Sequence, residues 1–349
     1  MKTAEILRQR LEMNYQWHSG MVNPDTGMLE YLYLPQTDAF VRERCPIREI
    51  ASVWDVEKLG RFLNRRELLP LVERSLRHYD DYLVEREGCL IVDPGHLAEP
   101  SSIAHSAFMI LALTGAPPPL KTRQITALAD GILRQQRPDG SYKVYFHDLP
   151  DQGEELYAGE AMLALMETYR QSSDTPYLES VERGFSYYDA QYFRHGRVPK
   201  NLLVFFANWQ SQACRLLFEF TTRPALKQEV AGYVYRLHDR IIERGFYEEV
   251  ERSPDWQVSV EVACALEGLN EAYAIARVAN DDRVHRYRRG VCAGLAYLLR
   301  LQCVAGGTEK ERGGFGVSLQ DRAQRIDITG HAASAFMKSV QNEIECDHA

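Results

Sequence analysis

The chain has 349 residues, 45% of them hydrophobic, and its 49 Asp and Glu against 41 Lys and Arg give a net charge of −8. That balance suits a soluble protein with a large core and argues against a general nucleic-acid binder, which needs a basic face. Residues 1–17 lack the apolar centre of a signal peptide, and no apolar run approaches the ~18 residues of a membrane span. The seven cysteines show no CxxC pair and no disulfide-framework spacing. Cys214, Cys264 and Cys292 fall in apolar helical pattern, where a thiol behaves as a small buried hydrophobe. An odd count without a signal peptide leads us to expect a reducing compartment, the cytoplasm.

Along the chain, amphipathic helices are expected over residues 3–16, 65–85, 121–136, 177–193, 225–244 and 283–303, each with an apolar stripe opposite a charged face. Between them lie apolar helices with few charges, and each carries one polar side chain about a turn inside its start. That position reads Asp55, His105, Glu160, Gln212, Glu261 and His331, recurring at roughly 50 to 70 residues. Glycine followed by a short extended stretch links the two kinds of helix, as at Gly88, Gly140, Gly196, Gly245 and Gly314. The first unit is looser, with Gly27 in that role. Pro117-Pro118-Pro119 and Ser172 to Pro176 read as hinges between helices rather than domain linkers.

The repeating unit is therefore amphipathic helix, glycine turn, extended loop, apolar helix. Six units predict an all-α (α/α)6 toroid: six helical hairpins with charged-faced helices outside, apolar ones inside, and short extended loops at one mouth. Residues 1–341 are expected to form one toroid domain, with 342–349 a frayed polar tail.

This layout resembles the α/α-toroid superfamilies, namely six-hairpin carbohydrate enzymes such as uronate epimerases and hydrolases, and more weakly terpenoid-cyclase and prenyltransferase barrels and lanthionine cyclases. Gln136 to Tyr142, and Gln302 with Gly313-Gly314-Phe315, are similar to the glutamine–aromatic repeat of terpenoid cyclases, with Tyr and Phe in place of Trp. The resemblance implies that such a repeat ties an outer helix end to the next loop. The aspartate-rich motif of terpenoid cyclases is incomplete at Asp80-Asp81 and Asp281-Asp282, and the Cys-His-Gly step of lanthionine cyclases is missing. No phosphate loop or GxSxG nucleophile motif occurs either.

The six polar positions admit two readings. Each can be a hydrogen-bonded polar residue fastening neighbouring helix starts, the ordinary fate of buried polar groups. Alternatively they converge on one lumen, where carboxylates from different helices protonate a leaving oxygen, activate water or abstract a proton. On the second reading Glu160 and Glu261 are the acid/base pair, Asp55 a supporting carboxylate, and His105 and His331 proton shuttles or orienting groups. Trp54, Trp209 and Tyr142 would hold a sugar ring, with Gln212, Asn208, Gln257 and Arg325 on its polar groups. The expectation is a carbohydrate-processing enzyme of the hydrolase, uronate lyase or epimerase type, without a cofactor, acting on a small-molecule or oligosaccharide substrate. One alternative is a zinc or iron enzyme built on His105, Asp55 and His331, with Asp327 one turn before the second histidine, modifying an isoprenoid or peptide. Another is a non-catalytic toroid that binds a partner. The sequence does not set the oligomeric state.

Overall fold

The computed structural model describes residues 2–41, 43–95, 99–115, 120–305 and 307–346. In chain order its helices are α1 (Thr3–Met21), α2 (Pro46–Phe62), α3 (Leu69–Asp80), α4 (Ile103–Thr114), α5 (Leu120–Arg134), α6 (Glu154–Ser172), α7 (Thr175–Tyr187), α8 (Leu203–Phe220), α9 (Pro224–Glu243), α10 (Phe246–Arg252), α11 (Ser259–Ala279), α12 (Arg283–Leu301) and α13 (Ile326–Gln341). The expected alternation of amphipathic and apolar helices is therefore present. The six polar positions fall in α2, α4, α6, α8, α11 and α13. The contacts divide the chain into two compact units, Met1–His78 with His238–Ala349, and Tyr79–Leu237.

In the first unit a three-stranded antiparallel sheet runs β2 (Ala39–Val41), β1 (Leu32–Leu34), β5 (Gln324–Arg325). Leu32 pairs with Arg325 and Tyr33 with Gln324, so β1 fixes where α13 begins one residue later. The Ile326 amide completes the link by donating to the Tyr31 carbonyl at 3.2 Å. Pro46 at the start of α2 presets the first helical turn, and Glu49 caps it by accepting from the Cys45 amide at 2.8 Å. Helix α13 packs on α1, α2 and α11. Its pairing with α11 rises in step: His331 to Glu267, Lys338 to Glu271, and Ser339 to Asn270. The two helices therefore run parallel, their N-termini at the same end.

In the second unit α4, α6 and α8 pack in sequence, with α5 against α4 and α7 against α6. Every residue of α4 from Ile103 to Leu113 is buried, as a helix covered on all sides requires. The Phe108 and Trp209 rings meet edge to face with centroids 5.5 Å apart.

The glutamine–aromatic repeat does the same structural task twice. Gln136 Nε2 donates to the Ser180 carbonyl at 2.8 Å and to Gly140 at 3.1 Å. Gln302 Nε2 donates to the Arg10 carbonyl at 2.9 Å and to Gly313 at 3.0 Å. The two glycines have φ of 95° and 96°, and each lies against the carbonyl three residues beyond the clamped one, Arg183 and Met13.

Four expectations change. The 65–85 helix ends at Asp80, and β3 (Leu83–Arg86) pairs antiparallel with β4 (Cys89–Val92) around Glu87 and Gly88, both at positive φ, a two-residue turn that a helix cannot contain. Phe246 and Tyr247 open the short α10 rather than an extended stretch. Cys292 and Cys346 form a disulfide instead of remaining free thiols, while Cys45, Cys89, Cys214, Cys264 and Cys303 are free. Finally, the start of the polar tail is held: Asn342 Nδ2 donates to the Asn270 carbonyl at 2.9 Å and Ile344 is buried. Pro117 to Pro119 lie outside the described residues.

Candidate active site

Three apolar helices of the first unit, α2, α11 and α13, share a polar seam. From α13, His331 Nδ1 donates to Glu267 Oε2 on α11 at 2.5 Å. The histidine keeps 19% of its side-chain surface open, whereas Glu267 keeps 2%. Burial pushes the Glu267 carboxyl up, but the His331 charge and hydrogen bond, with Lys338 and Lys58 behind them, hold it at about 2. Burial opposes the charge on His331, yet the Cys264 thiol and the Glu267 carboxylate raise it well above the usual histidine range. The pair is therefore imidazolium and carboxylate. Cys264 lies one turn before Glu267 on the same helix, and its sulfur, a Glu267 oxygen and a His331 nitrogen lie within 4.8 Å of one another.

Helix α2 lines the other side. Lys58 Nζ sits 3.3 Å from Asp55 Oδ1, donates to Ser334 Oγ at 3.2 Å and lies 3.7 Å from the centroid of the Trp54 ring. Asp55 in turn lies against Gly330, at the residue before His331, where an added Cβ would strike the carboxylate. At the start of α13, Asp327 is bonded by Arg325 Nε at 3.0 Å and Arg48 Nε at 3.1 Å. Burial raises its carboxyl, and these two guanidiniums more than reverse the effect. Both arginines also lie over the Tyr31 ring. Glu261, one turn before Cys264 on α11, is half-buried, and that burial raises its carboxyl above the ordinary range.

The metal reading of the sequence groups His331 with His105, Asp55 and Asp327. In the seam Asp55 is engaged by Lys58 and Asp327 by two arginines, while His331 turns to Cys264 and Glu267. Those three are the one group of metal-ligand type found among the described residues.

The positions in the second unit have different surroundings. His105 is buried, its Nε2 3.2 Å from Glu99 Oε2 and its Nδ1 2.8 Å from Ser102 Oγ. A carboxylate only accepts, so Nε2 carries a proton toward Glu99, and Nδ1 shares a hydrogen bond with the serine hydroxyl. Glu160 is buried in α6. Gln212 Nε2 donates to Asn208 Oδ1 at 3.0 Å, both residues inside the packing.

Two of the three expected sugar platforms are interior. Tyr142 is 0% exposed, its hydroxyl 2.8 Å from Ser180 Oγ, and burial raises its phenol far above the usual range. Trp209 is 5% exposed, between Phe108 and the close-approaching Gly159. Trp54 is half-buried beneath Lys58. Gln257 turns back to the Ser253 carbonyl at 3.3 Å, and Arg325 serves Asp327.

The sequence reading missed Lys58, Glu267 and Ser334, and read Cys264 as packing. Their signal was spacing: Lys58 is three residues after Asp55, Ser334 three after His331, and Glu267 three after Cys264.

No protein-family model and no curated protein matches the sequence. Solved structures do match along nearly its whole length. A D-mannose isomerase superposes with a TM-score of 0.75 at 9% identity, covering 97% of this chain and 97% of its own. A sugar epimerase from a ruminal bacterium gives 0.70 at 12%, covering 98% and 100%. An unsaturated glucuronyl hydrolase specific for heparin gives 0.68 at 10%, covering 98% and 99%. The fold is the all-α toroid that these structures share. At these identities the likeness establishes the toroid and not the reaction.

Proposed function

We propose that this toroid is a carbohydrate-processing enzyme that moves protons on a bound sugar, as an epimerase or isomerase does, from the seam of α2, α11 and α13. The observation that carries this reading is the 2.5 Å imidazolium–carboxylate pair of His331 and Glu267, the histidine edge still open. An imidazolium held by a buried carboxylate delivers its proton to a developing oxyanion and takes one back afterwards. Glu261, with its carboxyl raised by burial, suits the removal of a proton from the carbon beside a sugar carbonyl. Asp55 and Lys58 would bind hydroxyls. The fold neighbours named as sugar epimerase and mannose isomerase supply the substrate class.

A second reading, glycoside hydrolysis with Glu261 as the acid, is supported by the burial that raises its carboxyl. One experiment separates the two. Incubation with D-mannose, cellobiose and an unsaturated glucuronyl disaccharide in D2O is followed by NMR for wild type, His331→Ala and Glu267→Gln. Proton transfer places solvent deuterium on a sugar carbon and is lost in both variants. Cleavage of cellobiose without carbon-bound deuterium assigns the hydrolytic reading. Elemental analysis of the same samples tests the cofactor expectation: about one zinc or iron per chain, lost in Cys264→Ala and His331→Ala, would make the cluster a metal centre instead.

A further inference from the structure

Trp256 stands apart from the other aromatic residues near helix starts. It is 83% exposed, the most exposed large apolar side chain among the described residues. Tyr142, Phe206, Tyr247 and Phe315 are all buried, and Lys58 covers the Trp54 ring. An indole in water offers a large flat apolar face with an N–H at its edge, the kind of surface that a ligand can stack on.

The backbone beneath it is fixed. Pro254–Trp256 forms a 3-10 turn in which the Trp256 amide donates to the Ser253 carbonyl at 3.2 Å and the Gln257 amide to Pro254 at 3.2 Å. The Gln257 carbonyl accepts from the buried Tyr297 hydroxyl of α12 at 2.9 Å. Ser259 then bonds the Val317 carbonyl through both its amide, at 2.9 Å, and its hydroxyl, at 2.8 Å. A ring on so constrained a turn loses little conformational freedom when something stacks on it.

Its position follows from chain geometry. Trp256 lies three residues before α11, the helix that carries Glu261, Cys264 and Glu267. Because α11 and α13 run parallel, it stands at the end of the seam where both helices begin. Glu261 lies in the first turn of α11, and Ser259 to Glu267 is about 12 Å of axial rise, so the turn that carries the indole precedes both groups at the start of the helix. Its chain neighbours are polar, Asp255 exposed and Gln257 half-buried. A flat apolar face beside polar groups matches a pyranose, with its apolar C–H face and hydroxyl edge.

We infer that Trp256 forms an outer subsite that stacks on the sugar unit next to the one being processed, so that the substrate is a disaccharide or longer. The inference rests on the proposed carbohydrate function, but binding at this subsite is read separately from turnover. Wild type, Trp256→Ala and Trp256→Phe are titrated with D-mannose and with cellobiose and β-1,4-mannobiose. Tryptophan emission and acrylamide quenching, read as the difference from Trp256→Ala, report on the exposed indole, since Trp17 and Trp209 are buried and the half-buried Trp54 is common to both proteins. Expected is a blue shift with protection from acrylamide by a disaccharide but not by mannose, absent in Trp256→Ala. For a disaccharide that is turned over, KM should rise about three- to tenfold in Trp256→Ala and recover in Trp256→Phe, with kcat and the behaviour toward mannose unchanged. Quenching that no disaccharide alters, or a KM that rises equally for mannose and disaccharide, overturns the subsite. Disaccharide protection in a protein that turns over no sugar keeps the subsite and rejects the proposed reaction. A Trp256-dependent change of mass in solution without sugar protection assigns the ring to an interface between copies.

Discussion

His105 and His331 occupy the same position of the repeat, one turn inside an apolar helix, yet the two units treat them differently. In α4, His105 meets a serine hydroxyl and one carboxylate, and both nitrogens are hydrogen-bonded. In α13, His331 meets the buried Glu267 carboxylate, with Cys264 alongside and an open edge. The difference originates in the neighbouring helix, where α11 carries Cys264 and Glu267 one turn apart. One repeat position can thus serve as a fastener in one unit and as a charged centre in the other. The residue that decides which is on another helix.

The largest test of that contrast is the paired removal of both rings. His331→Ala should lower turnover by about two to four orders of magnitude, the scale of a lost general acid. It should also cost about 3–5 kcal/mol of stability, because Glu267 is left buried without its nearest cation. His105→Ala should cost only about 1–3 kcal/mol, the scale of unmade buried hydrogen bonds, with a far smaller effect on turnover. Urea unfolding and a deuterium-exchange assay measure the two quantities. Equal activity losses would erase the distinction between fastener and reacting group.

A second test uses pH. The Glu267 carboxyl is depressed, so its contribution to stability is complete above the ordinary carboxylate range near ~4.3 and lost as pH falls toward about 2. The His331 imidazolium is raised, so its contribution is complete below the ordinary value near ~6.5 and lost as pH rises through its elevated value. Lys58 and Lys338 face the carboxylate, and Cys264 and Asp327 face the ring, all biasing the pair toward charge separation. The stability difference between wild type and His331→Ala should therefore be flat from about pH 4.5 to 6.5 and shrink on both sides. Thermal midpoints of the two proteins across this range would show it. A difference that rises up to about pH 6.5 and stays flat above it would mean that His331 is neutral in the fold.

The helix pattern is readable because each apolar helix shows its period in its own residues, and the glutamine clamps because Gln136 and Gln302 each lie close in sequence to their glycine and aromatic partners. Asp55, Glu261 and His331 are readable as polar interruptions of apolar runs. Lys58 and Glu267 are not, since a charged residue a turn or two deeper looks like any wet helix face until a second helix closes over it. Cys264 is misread for a related reason: a thiol in an apolar run is ordinary packing unless an imidazole arrives from a segment 67 residues away. Tyr142 and Trp209 mislead in the opposite direction, because an aromatic residue near a loop is equally suited to sealing the loop. Trp256 differs from them only in exposure, which sequence does not encode.

The finest test compares two glycines, each at a close approach between apolar helices. An alanine methyl at Gly159 would meet the Trp209 Cβ at 2.6 Å and its backbone carbonyl carbon at 2.9 Å, and backbone cannot yield. Gly159→Ala should therefore cost about 1–3 kcal/mol by overpacking, with catalysis little changed in the molecules that fold. At Gly330 the methyl meets only the Asp55 carboxylate, the end of a side chain that can rotate away. The fold loses less there, but Asp55 must leave its place beside Lys58, and the ammonium is released from its position over Trp54. Gly330→Ala should thus leave the unfolding midpoint nearly unchanged and raise KM for the sugar several-fold. If Gly330→Ala destabilises as much as Gly159→Ala with KM intact, Asp55 and Lys58 are packing, and the binding part of the seam narrows to α11 and α13.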